Sequence, residues 1–396
     1  MIPCLNEATA IERCVAAALE ALDGAGIAGE VVVADNGSRD GSRQLAAAAG
    51  ARVILEPQRG YGSALRAGFA AAEGEFIVMA DADLTYDYAE VPRFVAKLRA
   101  GADMVIGDRM DGIEPGAMPW LHRRVGNPLL SRTLNLFFGA GVRDAHCGMR
   151  ALRRSLLERL DLRSSGMELA SEMVIRSAEE GLAVVQLPIR YRRRAGDSKL
   201  ETFGDGWRHL RFLLVHSPSY LFFVPGGLLL GVGALVSATV LFDIALLGRE
   251  WELHALVAAC LLLVVGAQVL GLGICAHAYR AWYLGRQVAW LERLRARLRL
   301  EHVLAAGGIV LAAGVAICGF VVIEWLTRDL GTLHRERLFL GGATLVIVGA
   351  QTIFTAFLVS ILGLRRSAAA ELSDPLERLE HDLLSRPVEE RAAAGV

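Results

Sequence analysis

The chain has 396 residues, a formal net charge of −1, 54% hydrophobic residues and a mean hydropathy of +0.39. Near-neutral charge excludes nucleic-acid binding by bulk electrostatics, and the apolar excess excludes an ordinary soluble enzyme without membrane segments. The six cysteines form no Cys-x-x-Cys pair, so neither a disulfide framework nor a zinc site is indicated.

Up to about residue 200, strand and helix patterns alternate. Met1-Ile-Pro-Cys-Leu-Asn-Glu7 reads as the end of a strand already under way, and a helix follows with Ile11, Val15, Ala18, Leu19 and Leu22 on one face. The run Glu30 to Ala34 is a strand ending at Asp35-Asn-Gly-Ser-Arg-Asp-Gly41, a turn rich in residues that tolerate positive φ. A helix, a strand (Arg52 to Glu56), the glycine turn Arg59-Gly-Tyr-Gly62 and another helix come next. Phe76 to Ala80 is a short unbroken apolar run, predicted as a buried strand, and it stops at two carboxylates, Asp81 and Asp83. Open α/β sheets place ligands at the carboxyl ends of their strands. Two aspartates one residue apart at that edge suit a hard divalent cation, Mg²⁺ or Mn²⁺; a solvated strand-end turn is the plainer reading of the pair taken alone.

A helix over Tyr88 to Ala100 and a strand over Asp103 to Asp108 continue the alternation, with Arg109 at the strand end. Residues 115 to 140 are amphipathic and helical, with His122, Arg123 and Arg124 among leucines and aromatics, a pattern of core packing or of a membrane surface. Then come Asp144-Ala-His-Cys-Gly-Met-Arg150, where His146 and Cys147 read as packing, and a helix with Glu168 and Glu172 on one face. A last strand, Ala183 to Ile189, leads into Arg190-Tyr-Arg-Arg-Arg-Ala-Gly-Asp-Ser-Lys199. Alternation of this kind predicts a doubly wound, mostly parallel sheet. No Gly-x-Gly-x-x-Gly follows the first strand, against a dinucleotide site.

Trp207, Arg208, His209 and Arg211 predict an interfacial juxtamembrane segment over 207–218. Four membrane helices are predicted near 219–245, 253–278, 302–325 and 338–363. The arginines of the loop between the second and third (Arg280, Arg286, Arg293, Arg295, Arg297, Arg299) place that loop, residues 1–206 and the tail 364–396 in the cytoplasm. The tail is polar and acid-leaning, so partial disorder is expected there. Gly226-Gly227, Gly233 and Asp243 recur as Gly307-Gly308, Gly314 and Glu324, and Val265-Gly-Ala-Gln268 recurs as Val348-Gly-Ala-Gln351. That is the trace of one helical hairpin present twice in the same orientation, or chance in Gly/Ala/Leu-rich sequence. Gln268 and Gln351 need hydrogen-bond partners in hydrocarbon, for which each other is one candidate.

The motifs Pro3 to Glu7, Asp35-Asn-Gly-Ser38, Asp81-Ala-Asp83 and Gly107-Asp-Arg109 all fall at carboxyl ends of predicted strands, which independent solvated turns would not do. With Gly60-Tyr-Gly-Ser-Ala-Leu-Arg-Ala-Gly68, Asp144-Ala-His-Cys-Gly148 and Gly196-Asp-Ser-Lys-Leu200, they make residues 1 to about 215 resemble the family 2 glycosyltransferases of GT-A fold, among them the dolichyl- or polyprenyl-phosphate sugar synthases. The resemblance implies an α/β GT-A catalytic domain on an all-α membrane domain. It implies that Pro3, Leu5 and Glu7 line the base and ribose pocket and that Asp35 meets the base. Asp81 and Asp83 would hold the nucleotide ribose and the metal on the diphosphate, with Arg109 facing the reacting phosphates.

The acceptor implied is a membrane polyprenyl phosphate, a near-dianion at neutral pH with a second pKa near ~6. It needs cationic positioning more than a general base, and Arg109, Arg124, Arg194, Ser198 and Lys199 are the candidates. Glu172 is a candidate for the sugar hydroxyls. The reading is an inverting, metal-dependent transfer of a hexose from GDP-mannose or UDP-glucose, with inversion taken from the resemblance. A processive polysaccharide synthase of the same fold would carry a Gln-x-x-Arg-Trp motif, absent here, and a transport or lipid-flipping protein with a degenerate domain would not keep Asp35, Asp81 and Asp83 together.

Overall fold

A computed structural model describes residues 1–195, 202–245, 251–283, 299–327 and 335–385. They fall into two compact units, Met1–Ser217 and Pro218–Val396.

The first unit is built on seven strands: β1 (Ile2–Cys4), β2 (Val32–Asp35), β3 (Arg52–Leu55), β4 (Phe76–Met79), β5 (Met104–Asp108), β6 (Arg150–Arg153) and β7 (Val184–Pro188). β1–β2, β2–β3 and β5–β7 pair in parallel, with Ile2 opposite Val33, Val33 opposite Val53 and Met104 opposite Val184. The Met1 amino group donates to Val78 O at 2.8 Å and the Ala80 N–H donates to Met1 O at 3.3 Å. The strands form two ladders, β3-β2-β1 and β4-β6-β5-β7, and these two bonds, in the pattern of a parallel pair, set β1 beside β4 and join them in the order β3-β2-β1-β4-β6-β5-β7. The chain therefore winds outward in both directions from β1 and β4, as the alternation predicts. β6 departs from the prediction. It lies antiparallel between β4 and β5, with Val78 and Val105 both opposite Ala151, because the helical connection from β5 brings the chain back to the carboxyl edge, where Asp144 pairs with Arg109, before it enters β6.

Helices α1 (Ile11–Gly24), α2 (Ser42–Ala48), α3 (Tyr61–Ala71) and α4 (Val91–Arg99) make the crossovers. α1 buries Ile11, Cys14, Val15 and Ala18, and α4 buries Val91, Phe94, Val95 and Leu98, the i, i+3, i+4, i+7 stripe of a helix laid on a sheet. The amphipathic stretch resolves into a π-helical turn, His122–Gly126, leading into α5 (Asn127–Phe138). Ser131 and Leu134 face inward there, while Trp120, Leu129 and Leu136 are exposed. After β6 come the short α6 (Leu157–Leu160) and α7 (Leu169–Glu179); α8 (Thr202–His216) closes the unit.

The second unit holds α9 (Val224–Leu241), α10 (Leu253–Tyr283), α11 (Leu300–Thr327) and α12 (Glu336–Ser385). Four stretches are long and apolar enough to cross a membrane: Ser219–Leu241, Leu253–Trp282, Leu300–Thr327 and Glu336–Gly363. They agree with the sequence reading within a few residues at each end. Beyond the last span α12 continues to Ser385, where partial disorder was expected; the alanines and the Leu/Glu/Arg mixture there are good helix formers. Arg286, Arg293, Arg295 and Arg297 lie outside the described residues.

The repeat is visible in the packing. A Cβ on Gly266 would stand 2.8 Å from Leu230 N and 3.0 Å from Gly226 O; one on Gly349 would stand 2.5 Å from Leu311 N and 2.9 Å from Gly307 O. Gly233 meets Ala259 and Leu263 as Gly314 meets Gly342 and Val346. Both hairpins thus close on the same small residues in the same register, the close backbone approach that only glycine permits between membrane helices. Gln351 Oε1 is buried with no hydrogen-bond partner among the described residues, so the two glutamines do not satisfy each other through that oxygen.

Candidate active site

Four loops meet at the carboxyl edge around β1 and β4. The first two, after β1 and β2, are laced together: Asn6 N–H donates to Ser38 Oγ, Glu7 N–H to Ser42 Oγ and Ala8 N–H to Asp40 Oδ2, each at 2.9 Å. Asn36 ties in the third, donating to Glu56 O and Gln58 O and accepting from Gly60 N–H at 2.7 Å. Asp35 is fully buried and shapes its own turn, accepting from Gly37 N–H and Ser38 N–H at 3.1 Å. A carboxylate has lone pairs beyond these two bonds. Pro3 is buried in β1, and Leu5 and Glu7 are half-buried beside it.

The fourth loop carries the aspartates. Tyr61, at the start of α3, donates its hydroxyl to Asp81 Oδ1 at 2.7 Å, and Tyr88 donates to Asp81 O at 2.9 Å. Asp83 Oδ1 accepts from Thr85 N–H at 3.1 Å and from Thr85 Oγ1 at 2.5 Å. Leu84, the residue after Asp83, has φ 62°, a left-handed conformation that a leucine seldom adopts, and backbone strain of this kind concentrates at functional sites. One oxygen of each carboxylate is thus fixed by a neighbour. Among the described residues Asp81 Oδ2 accepts no hydrogen bond, and Asp83 Oδ2 faces Arg194 Nη1 at 3.6 Å. Burial and the nearby Asp83 push the Asp81 carboxyl up to about 6. A half-buried and a buried carboxylate side by side, each with one oxygen that no hydroxyl or N–H engages among the described residues, are a donor set that fits a hard divalent cation.

Arg194 was expected at an acceptor phosphate. Its guanidinium lies between Glu7 (Nη2 to Oε1, 3.0 Å) and Asp83. The segment carrying it is stitched to the aspartate loop: Arg192 N–H donates to Thr85 O at 2.9 Å and Ala195 N–H to Asp83 O at 3.0 Å. Arg192 is ion-paired with Asp87, and Arg193 donates to Pro115 O at 2.9 Å, so these two arginines help hold the loop.

Two expectations are corrected. Arg109 does not face the pocket as a free cation. It is 5% exposed and paired with Asp144, Nε to Oδ2 at 2.7 Å and Nη2 to Oδ1 at 2.8 Å, with Nη1 donating to Tyr86 Oη at 3.3 Å. Glu172 does not face a sugar. It is 4% exposed and accepts from Arg163 N–H at 3.1 Å and Ser164 N–H at 2.8 Å, holding the loop whose Ser165 O accepts from Ser63 N–H in α3. Both residues are positioning residues whose partners lie far away in sequence or in the backbone. His209 likewise turns inward, 3.2 Å from Ser171 Oγ, which also contacts His146. Arg124 is exposed on the π-helical turn. Ser198 and Lys199 lie outside the described residues.

The Arg109–Asp144 pair supports a stability prediction. Burial opposes ionisation of Asp144, yet the Arg109 guanidinium keeps its carboxyl below the usual range. A depressed carboxylate contributes stability that is complete above its unfolded-state pKa, near ~3.9, and is lost as pH falls through the native value. Asp144→Asn leaves the buried Arg109 uncompensated and is expected to cost about 3–5 kcal/mol. A lowered melting temperature at pH 7, with the gap to wild type narrowing in acid, is the result to look for in thermal unfolding of the detergent-solubilised protein.

Sequence reasoning missed Tyr61, Tyr86, Gly148 and Arg150 as parts of this site. Gly148 N–H donates to Tyr86 Oη at 2.7 Å, and a Cβ on Gly148 would stand 2.4 Å from Asp81 Oδ2. Arg150, fully buried, donates to Cys147 O, Ala170 O and Ala145 O at 2.6–2.8 Å and so holds the loop that presents Gly148. The Gly60-Tyr-Gly62 turn and the Asp144–Arg150 motif were the available signals.

Comparison with known proteins places this geometry in context. Residues 1–161 match the family model for Glycosyl transferase family 2, and residues 274–363 match that for the Glycosyltransferase family 2 C-terminal transmembrane region. The chain is 38% identical over 365 residues to the low-salt glycan biosynthesis hexosyltransferase Agl6 of Haloferax volcanii, covering 92% of this chain and 88% of that protein. It is 40% identical over 179 residues to a dolichyl-phosphate hexose transferase of the same organism, covering 45% of this chain and 76% of that protein. It is 29% identical over 334 residues to an undecaprenyl-phosphate 4-deoxy-4-formamido-L-arabinose transferase of Pseudomonas paraeruginosa, covering 81% and 94%.

Proposed function

The chain belongs to glycosyltransferase family 2, as a multi-pass membrane glycosyltransferase with a GT-A sheet, and we propose that it moves a hexose from a nucleotide sugar to a membrane polyprenyl phosphate with inversion and with a divalent metal. In this reading residues 1–206 catalyse the transfer at the cytoplasmic face, 219–363 span the membrane and 364–396 return to the cytoplasm. The observation that carries it is the meeting of Glu7, Asp81, Asp83 and Arg194 at one sheet edge, in a chain with four membrane-length helices. The polyprenyl-phosphate transferases among its relatives support the acceptor class.

The residues divide the work. Pro3, Leu5 and Asp35 border the base, and Glu7 and Asp81 the ribose. Asp81 and Asp83 hold Mg²⁺ or Mn²⁺, which when bound neutralises charge on the leaving nucleoside diphosphate. Tyr61 and Thr85 each fix one carboxylate oxygen, so the other oxygen of each is held in place without reorganisation. The acceptor phosphate, already anionic, attacks the sugar C1 without a general base. Arg124, Arg194, Ser198 and Lys199 are the groups available to position it. A metal requirement follows. Purified protein in liposomes with polyprenyl phosphate is expected to lose transfer from GDP-mannose or UDP-glucose on chelation and regain it with Mn²⁺ or Mg²⁺. Full transfer in excess chelator contradicts the metal role.

A further inference from the structure

Resting on this reading, we infer that Arg194 is a displaceable counter-ion. It holds the donor-site carboxylates until the metal–nucleotide arrives, and then serves the acceptor phosphate. Three observations carry this.

The first is position. Arg194 Nη2 is 3.0 Å from Glu7 Oε1 and its Nη1 is 3.6 Å from Asp83 Oδ2, the oxygen that Thr85 does not engage. A divalent ion binds a carboxylate oxygen at about 2.0–2.6 Å, so an ion on that oxygen and the guanidinium in its present place would be like charges a few ångströms apart, in a site that is mostly out of water. The two cations compete for one carboxylate.

The second is that the contact is built to be left. The backbone around Arg194 is anchored to the aspartate loop through Arg192 N–H and Ala195 N–H, so the guanidinium can leave by side-chain rotation while the segment stays in place. Its Nε is buried with no hydrogen-bond partner among the described residues, so the present pose leaves one donor unmet.

The third is a destination. Arg194 also lines a hollow of about 270 Å³ with Arg13, Arg192 and Arg193, where among the described residues Asp87, paired with Arg192, is the one acidic side chain. A phosphate dianion in that hollow would attract Arg194 away from Asp83, and a metal on Asp83 would drive it toward the hollow. Metal–nucleotide and acceptor phosphate therefore favour each other's binding through one side chain, and by linkage the coupling is reciprocal. The enzyme would thereby engage its lipid acceptor most strongly when the donor is loaded.

The test is Mn²⁺ binding, read by the electron paramagnetic resonance signal of free Mn²⁺, on full-length protein in detergent with and without UDP or GDP. R194A is expected to bind Mn²⁺ alone at least about tenfold more tightly than wild type, since it lacks the competing cation. R194K, which keeps a positive charge, is expected to bind it as weakly as wild type. Unchanged or weaker Mn²⁺ binding by R194A overturns the proposal. D83A separates this from failure of the wider reading. If wild type with nucleotide binds Mn²⁺ no better than D83A, the metal site itself is wrong; if wild type exceeds D83A and R194A equals wild type, only the counter-ion role falls.

Discussion

Asp83→Ala abolishes sugar transfer, by about 10³-fold or more, while the protein remains folded and in the membrane. The size follows from the proposed role, in which the Asp83 oxygen not engaged by Thr85 would complete a metal clamp with Asp81, and charge stabilisation on a leaving diphosphate is worth several kcal/mol, about 1.4 for each tenfold in rate. The fold has other supports at this point. Ala195 N–H bonds to the Asp83 main-chain carbonyl, which the substitution keeps, and Tyr88 holds the Asp81 carbonyl independently. Asp83→Asn is the sharper control, because an amide oxygen can still accept from Thr85 while the charge is gone. Both variants are expected to melt close to wild type and both to be inactive. Wild-type turnover by Asp83→Ala, with divalent metal present, would remove the pair from the mechanism.

Gly148→Ala is the second large effect, and it acts without touching a charge. The added methyl would stand 2.4 Å from Asp81 Oδ2 and 3.0 Å from Tyr86 Oη. Neither neighbour can yield cheaply. Asp81 is held by Tyr61 on its other oxygen, and Tyr86 Oη takes the Gly148 N–H and an Arg109 N–H. The carboxylate must rotate off its aim, so the variant is expected to need much more metal and to lose about 10²-fold or more in kcat/KM. Overpacking of this kind also costs about 1–3 kcal/mol of stability. Metal titration of the transfer rate separates the two consequences: a raised metal requirement is the specific sign, and an unchanged requirement would mean that Gly148 does not shape the clamp.

Much of this architecture was legible from residue pattern, and where it failed the failures have physical causes. The apolar runs at Val32, Phe76 and Met104 are bounded by turn residues and carboxylates, so their strands and shared edge could be read. β6 could not. Arg150-Ala-Leu-Arg153 is four residues with an arginine at each end, and nothing in it announces that Arg150 is buried under three main-chain carbonyls. Arg109 was assigned to the phosphates from its strand-end position and the family resemblance, and Glu172 to the sugar from its helix face. The partner of Arg109 is Asp144, 35 residues away, and those of Glu172 are backbone N–H groups, neither of which has a sequence signature. Asp81 and Asp83 were placed at a shared strand-end edge by their neighbours in the pattern, and the structure brings them together with Glu7 and Arg194 there. The membrane hairpins were legible twice over, through span length and through glycines spaced to let two backbones touch.

The central claim is a hexose transferred onto a lipid phosphate, and the identity of the product tests it most directly. The purified protein in liposomes is incubated with polyprenyl phosphate, a divalent metal and, separately, GDP-mannose and UDP-glucose, and the lipid extract is weighed by mass spectrometry. The account predicts a polyprenyl phosphate heavier by one hexose residue with one of the donors, absent when free polyprenol replaces the phosphate and absent with Asp83→Ala. A hexose polymer, a glycosylated lipid formed without the phosphate, or no product from any nucleotide sugar by a protein that binds them would contradict it.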